Sequence, residues 1–472
     1  MRTPTFLSAS LLLLAAASCA VGPNYQPPVP GEIAPADWHW KPAEPGDALP
    51  KGDWWDIFHD PVLAGLESNA FAANQNLRAA VARVDEARAA ARFTRGQFFP
   101  ELSLDPSFKR ERVSGNQPIP FAIPSFIKQK PMYLDTYNVP LDLSYEVDLW
   151  GRVRRSFQSA QAQAQATVAD RQNILLTLSA DLAVNYFLLG ALDAQIADLA
   201  SDIQLREQSV GILQARYEAG TIPEIDAAQA KTELAGARSD LADLRRQRAE
   251  TFDALAVLCG RPPASFDLTP SAPASSPPLI PAGLPSSVLE RRPDIASAER
   301  ALAAKSAQIG VARAAYFPVV RLTGQAGYLS GQADNLFNLD SLTFSLGPGA
   351  SLPVFTAGRT AAEVRQARAA YQEALANYQQ AALTAFKEVE DSLAQINYWT
   401  TQADAQADAL ASARRVTQLT QVRNDAGVLT ELEVVAARRG ELQQQRQTAE
   451  LTGRRYAATI RLIKALGGGW KE

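Results

Sequence analysis

Three carboxylates, Asp142, Glu146 and Asp148, stand close together in the stretch "LDLSYEVDLWGR". Acids at even spacing share one face of a strand, where two carboxyls can divide proton transfer between an acid and a base. The residues between them point elsewhere. Val139, Leu141, Leu143, Tyr145, Val147 and Leu149 alternate with Pro140, Asp142, Ser144, Glu146 and Asp148, which is a two-faced strand with one polar side. A watery interior accounts for that polar side better than a reaction does. His39 and His59, the two histidines, have no partner at metal-ligand spacing. No P-loop, HExxH or GxSxG occurs, and "LGPGA" and "LGGGW" lack the strand–helix context of a nucleotide site. Cys259 closes the apolar run "ALAVLC" and reads as a packing residue. No catalytic residue, metal or cofactor is expected, and the chain does not read as an enzyme.

The elements that carry these residues come twice. "QARYEAGTIPEIDAAQAKTEL" from Gln214 and "QVRNDAGVLTELEVVAARRGEL" from Gln421 repeat one phrase, with Gly220 and Gly427 offset by 207 positions. Gly151 of "WGRVRR" and Gly358 of "TAGRTA" keep that offset, and "GQFFPELSL" answers "AAYFPVVRL". Such self-similarity marks one structural unit used twice. From Gly151 to Ala219 there is no proline, so one helix of about 100 Å is expected, and a matching one from Gly358 to Ala426. Leu175, Leu178, Leu182, Leu189, Leu192, Ile196, Leu199, Ile203, Val210, Leu213 and Tyr217 recur at three and four, a coiled-coil seam with Asn185 and Arg206 in its gaps. Gly220 and Gly427 fit left-handed helix caps, each followed by a return helix. Each copy also holds one hairpin: strands over Glu101–Arg110 and Val139–Leu149, then Val320–Tyr328 and Leu342–Val354.

The ends and joins are of another character. Met1-Arg2, then "FLSASLLLLAAA", then "SCA", reads as a secretory signal over 1–18. It resembles bacterial lipoprotein signals, with Cys19 the acylated residue; Ala16 stands where leucine is usual, and Ala20 resembles the sorting residue of outer-membrane lipoproteins. Residues 19–60 form a Pro-rich arm, 61–266 the first repeat beginning with a helix over Pro61–Gly96, 267–284 a Pro/Ser-rich linker and 285–472 the second repeat. A net charge of −4 with dispersed basic residues argues against nucleic acid.

Beyond the signal, no apolar run approaches the roughly 20 residues of a spanning helix, so any crossing of a membrane falls to the strands. Four strands with one apolar face cannot stay open in a bilayer, because edge N–H and C=O groups find no partner there. Spanning barrels need at least about eight strands, so chains must pool theirs; three chains give a twelve-stranded barrel continued by the long helices. A soluble periplasmic coiled coil would account for the helices but not for the strands, and a hydrolase would need a concave site that the sequence does not show.

"LERRPDIASAERALAAKSAQIGVARAAYFPVVRLTGQAGY" (Leu289 to Tyr328), "WWDIFHDPVLAGLESNAFAANQNLRAA" from Trp54 and "CAVGPNYQPP" from Cys19 together resemble the TolC-type outer-membrane efflux factors, in their lipoprotein (NodT-like) branch. The resemblance covers nearly all of the mature chain. It implies a mainly α protein with a β-barrel in the outer membrane and a periplasmic helical tube. It also implies a homotrimer, a periplasmic adaptor docking on the turns at Gly220 and Gly427, and an inner-membrane pump supplying small molecules. In that family a carboxylate six positions after the second glycine rings the closed tip. Here it is Glu433, in place of the usual aspartate, and Asp226 is its counterpart in the first turn. Leu429 stands where some members carry an arginine that ties the gate shut. Three carboxylates facing one another repel, so each would bind cations or have its pKa raised.

Overall fold

Glycine and proline set most of the boundaries. The computed structural model describes residues 20–28, 39, 52–114, 131–270, 276–280, 288 and 290–468. Among these the chain forms α1 (Pro61–Ala73), α2 (Gln75–Gly96), β1 (Glu101–Leu104), β2 (Ser107–Val113), β3 (Met132–Val147), α3 (Arg152–Glu218) and α4 (Glu224–Leu258). Then follow α5 (Pro293–Ala314), β4 (Val319–Ser330), β5 (Leu342–Ser351), α6 (Arg359–Asp425) and α7 (Glu431–Ala465). The two long helices have 67 residues each and their return helices 35 each. Both pairs are offset by 207 positions, so the repeat read from the glycines holds for whole helices.

Three expectations need correction. The helix over Pro61–Gly96 is two, because Asn74 is extended (φ −63°, ψ 125°). Its Oδ1 accepts from the Leu77 N–H at 3.0 Å, and its Nδ2 donates to the Leu258 carbonyl at 2.9 Å, a contact 184 positions away. The first strand is two pieces, broken at Asp105-Pro106, where a proline cannot supply a ladder N–H. The arm before Pro61 is not structureless throughout: Trp54–Phe58 make a 3₁₀ turn with Trp54 and Trp55 buried, and Trp54 Nε1 donates to Ser179 Oγ at 3.1 Å. In addition, an 18-residue window of α3 reaches a mean hydropathy of 1.6, apolar and long enough by composition to cross a membrane, yet 61% of it is buried within the chain.

The chain divides into two compact units. One comprises residues 1–27, 85–165 and 300–376. Its sheet is antiparallel in the order β1-β3-β4-β5, with β2 also on β3. Registers are constant along every pair: Leu143 faces Leu102 and Gly324, and Gly324 faces Leu346. Pro140, which has no N–H, falls opposite the break between β1 and β2. Where β3 ends, Asp148 accepts from the Val153 and Arg154 N–H groups at 3.0 and 2.9 Å and so caps α3. Residues 20–28 brace this junction. The Val21 N–H donates to the Trp150 carbonyl at 2.9 Å, and Arg155 Nη2 to Asn24 Oδ1 at 2.8 Å.

The other unit comprises residues 28–84, 166–299 and 377–472. Its core joins Leu63 of α1, Leu182 and Leu189 of α3, Leu255 of α4 and Ile460 of α7, all fully buried. Each such side chain contributes roughly 1.5–3 kcal/mol of hydrophobic stabilisation. Asp60 starts α1 by accepting from the Val62 and Leu63 N–H groups, and its other oxygen accepts from Tyr186 Oη at 2.7 Å. Along the α3 seam, Leu178, Leu182, Leu189, Leu192, Leu199 and Ile203 are buried with Ile196 half-buried, and burial then fades, leaving Tyr217 37% exposed.

Candidate functional site: the paired helical turns

Both turns of the repeated phrase lie in the second unit and close by one device. At the end of α3, the Gly220 N–H donates to the Tyr217 carbonyl at 2.8 Å and the Thr221 N–H to the Arg216 carbonyl at 3.0 Å. At the end of α6, Gly427 donates to Asn424 at 2.8 Å and Val428 to Arg423 at 2.9 Å. These are Schellman caps, with φ of +69° at Gly220 and +72° at Gly427, a region glycine enters without strain. No atom lies within 4 Å of where a Cβ would stand at either glycine. Conformation therefore selects them, not crowding.

The two carboxylates play different local parts. Glu433 is exposed and completes a capping box at the start of α7: its Oε2 accepts from the Thr430 N–H at 2.7 Å and the Thr430 hydroxyl at 3.0 Å. The Thr430 amide, then its hydroxyl, hold the Glu433 carboxyl below its usual range, with Arg423 assisting. Within one chain this is the opposite of the upward shift expected of a repelling ring. Asp226 instead lines a cleft of about 340 Å³ that α3, α4 and α7 share, beside Arg206, Glu233 and Arg439. The structure does not bring Asp226 and Glu433 into one cluster.

What the cleft holds was missed in the sequence. Arg206 Nε donates to Asp202 Oδ2 at 2.6 Å and its Nη1 reaches Glu233 Oε2 at 3.4 Å. Arg439 Nη2 donates to Glu233 Oε2 at 2.9 Å, and its Nε lies 3.4 Å from Asp202 Oδ1. Two arginines and two acids thus close a ring tying α7 to α3 and α4. Asp202 is 7% exposed, so this ring is no solvated surface pair. A signal was present: Arg206 interrupts an apolar seam, which costs free energy unless the charge is matched.

The remaining candidates are structural or lie elsewhere. Asp142 accepts from Gln325 Nε2 at 2.8 Å, Glu146 takes both donors of Arg152 at 2.6 and 2.8 Å, and Asp148 caps α3. Cys259 is buried, and burial pushes its thiol up to about 11, away from reactivity. His59 ends the 3₁₀ turn, and the His39 N–H donates to Glu390. Cys19 lies outside the described residues.

A chain that holds two very long helical hairpins and an antiparallel sheet with one apolar face has the make-up of an outer-membrane channel protein. The pattern of the outer membrane efflux protein family matches residues 66–261 and 284–468, and the chain belongs to that family. It is 33% identical over 471 residues to the solvent efflux pump outer membrane protein SrpC of Pseudomonas putida, covering 97% of both chains. It is also 33% identical over 474 residues to the pyoverdine export outer membrane protein OpmQ of Pseudomonas aeruginosa, covering 100% of this chain and 98% of that one. Among solved structures, the outer-membrane channel OprN superposes with a TM-score of 0.85 at 29% identity, covering 96% of this chain and all of that one. The open state of the MtrE channel of Neisseria gonorrhoeae gives 0.82 at 28% identity, covering 96% and 99%. The protein is an outer-membrane efflux channel and not an enzyme.

Proposed function

We propose that three copies of this chain pool their strands into a closed twelve-stranded barrel in the outer membrane, and that α3, α4, α6 and α7 continue it as a periplasmic tube. The sheet's two open edges, on one apolar face, carry this reading. Each unpaired backbone group in hydrocarbon costs several kcal/mol, so an edge must find another chain. In the assembly, the arm 19–60 with its lipid on Cys19 supplies a second hold on the membrane. The repeats 61–266 and 285–472, joined by the linker 267–284, make the trimer pseudo-sixfold.

The turns at Gly220 and Gly427 form the tube's closed tip and the surface on which a periplasmic adaptor docks. An inner-membrane pump feeds the duct. The cargo consists of small molecules of the kinds that the relatives' names give, solvents and pyoverdine. Glu433, with Asp226 at the first turn, lines the constriction. Three Glu433 carboxylates raise one another's pKa, against the lowering that Thr430 exerts in each chain.

Planar-bilayer conductance tests this reading. Glu433→Gln is the variant to use, because glutamine keeps the capping box while removing the charge. Small cation-selective steps in the native protein, with lower cation selectivity in the variant, are expected. Identical steps would move the constriction away from Glu433. No steps from folded protein inserted in the bilayer would overturn the channel in its open-pore form.

A further inference from the structure

The apolar face of the sheet ends in a cationic patch that the channel reading leaves without a task. Constant register puts Val139, Leu143 and Val147 of β3 on one face with Tyr328, Gly324 and Val320 of β4. From Val147 to Tyr137 this face runs 10 residues, about 34 Å along the strand, and a tilt of about 40° brings it to about 26 Å. That is the height of a barrel's hydrocarbon band. Past Tyr137 the same face changes character: Asp135 stands opposite Arg110, and Tyr133 opposite Arg112. Phe108 packs on Tyr137 with ring centroids 4.7 Å apart, so aromatic rings mark the boundary.

The charges on that face do not cancel. Arg110 Nε and Nη2 donate to the two oxygens of Asp135, each at 2.6 Å, which holds the guanidinium extended and still largely exposed. Arg112 is exposed and has no ion-pair partner among the described residues. The acid next to it in sequence, Glu111, is on the other face of the strand and pairs with Lys109 at 2.6 Å. Two cations therefore meet one anion at the depth where headgroups begin. At the bilayer midplane such arginines would cost about 2–4 kcal/mol each, but at the interface that cost falls to about 0–1.

We propose that Arg110 and Arg112, with Tyr133 beside them, bind the phosphate of an anionic lipid of the outer leaflet. The inference rests on the barrel reading above, which makes this face the lipid-facing one. Guanidinium forks match phosphate oxygens in pairs, and an exposed arginine beside tyrosines offers both the charge and the amphipathic collar that such a headgroup needs. The Asp135 contact orients one fork and leaves Arg112 to make the main bond.

The test uses the full-length protein in phosphatidylcholine nanodiscs titrated with bisphosphorylated lipid A or its dephosphorylated form, with bound lipid counted by native mass spectrometry. The double variant Arg110→Ala/Arg112→Ala is expected to bind lipid A at least ten-fold more weakly, while Lys109→Ala, on the opposite face, matches the native protein. The dephosphorylated lipid should bind native and variant proteins alike. Should the double variant not fold, Arg112→Ser keeps the Arg110–Asp135 pair and is expected to lose at least three-fold. Equal lipid A binding by native and variant proteins that insert and conduct would overturn the lipid site and leave the barrel standing. Native protein that does not insert would overturn both.

Discussion

Glu67 sits on α1 fully buried, and neither carboxylate oxygen has a hydrogen-bond partner among the described residues. Burial, with Asp53 close by, pushes its pKa up to about 9 from an ordinary 4.5. The folded chain therefore keeps a proton that the unfolded chain gives up above about pH 4.5. With the folded pKa the higher, stability falls as pH rises from about 4.5 to about 9 and is level beyond, a span of about 6 kcal/mol at most. Glu67→Leu is expected to raise the melting temperature at pH 8, because it removes an unsatisfied buried group worth about 1–3 kcal/mol. It should also flatten the decline between pH 5 and pH 9, read by thermal unfolding of the detergent-solubilised protein at three pH values. A parallel decline in the variant would assign the pH dependence to other groups. The position could have been found in the sequence: Leu63, Leu66, Glu67 and Ala70 lie on one helical face, and a carboxyl there is a mismatch. That it has no partner could not, since Asp53 and Cys259 reach it only through the fold.

Among elements, the bond between α7 and the first hairpin rests on few polar contacts. Arg439→Ala would leave Asp202, 7% exposed, with Arg206 alone, and removing one partner of a buried pair costs about 3–5 kcal/mol. Glu233 is half-exposed, which places the expected loss at the low end of that range. Arg238→Ala breaks the exposed pair with Glu207 and should cost no more than about 1 kcal/mol. Limited proteolysis at the paired turns reads the difference: faster cutting in the Arg439 variant than in the Arg238 variant is expected, and equal rates would deny the ring its role. The helices themselves were legible in the sequence because their determinants are local: glycine caps, a heptad seam and an absence of proline. The break at Asn74 was not, because the carbonyl that fixes its side chain belongs to Leu258. The four-residue ring was hidden for the same reason, its members coming from three helices. Proline dominates the composition before Pro61 and reads as an arm, yet Trp54 and Trp55 each bury a large ring, and the Ser179 that receives the Trp54 N–H is supplied only by the fold.

For the whole molecule, the question is which face of the sheet meets lipid. Leu346, Gly324 and Leu143 sit mid-way along the apolar band, and a Cβ at Gly324 would stand 3.2 Å from Leu346 Cδ1 and 3.6 Å from Leu143 Cβ, so all three share a face. Ser345, one residue along, faces the other way with Gln325 and Asp142. If the apolar face is outermost, Leu346→Arg places a charge at the bilayer midplane at about 2–4 kcal/mol per chain, and about three times that for an assembly of three. Ser345→Arg then projects into water and costs little, but adds positive charge to the pore. The expected result is a sharp fall in membrane-inserted assemblies for Leu346→Arg, read by native mass spectrometry after extraction. Ser345→Arg should assemble normally with lowered cation selectivity. The reverse pattern would turn the sheet inside out and remove the basis for the lipid site at Arg112. Loss of assembly in both would mean that this segment of β5 pairs with the next chain through its side chains as well as its backbone, since β5 is one of the two edges that closure must satisfy.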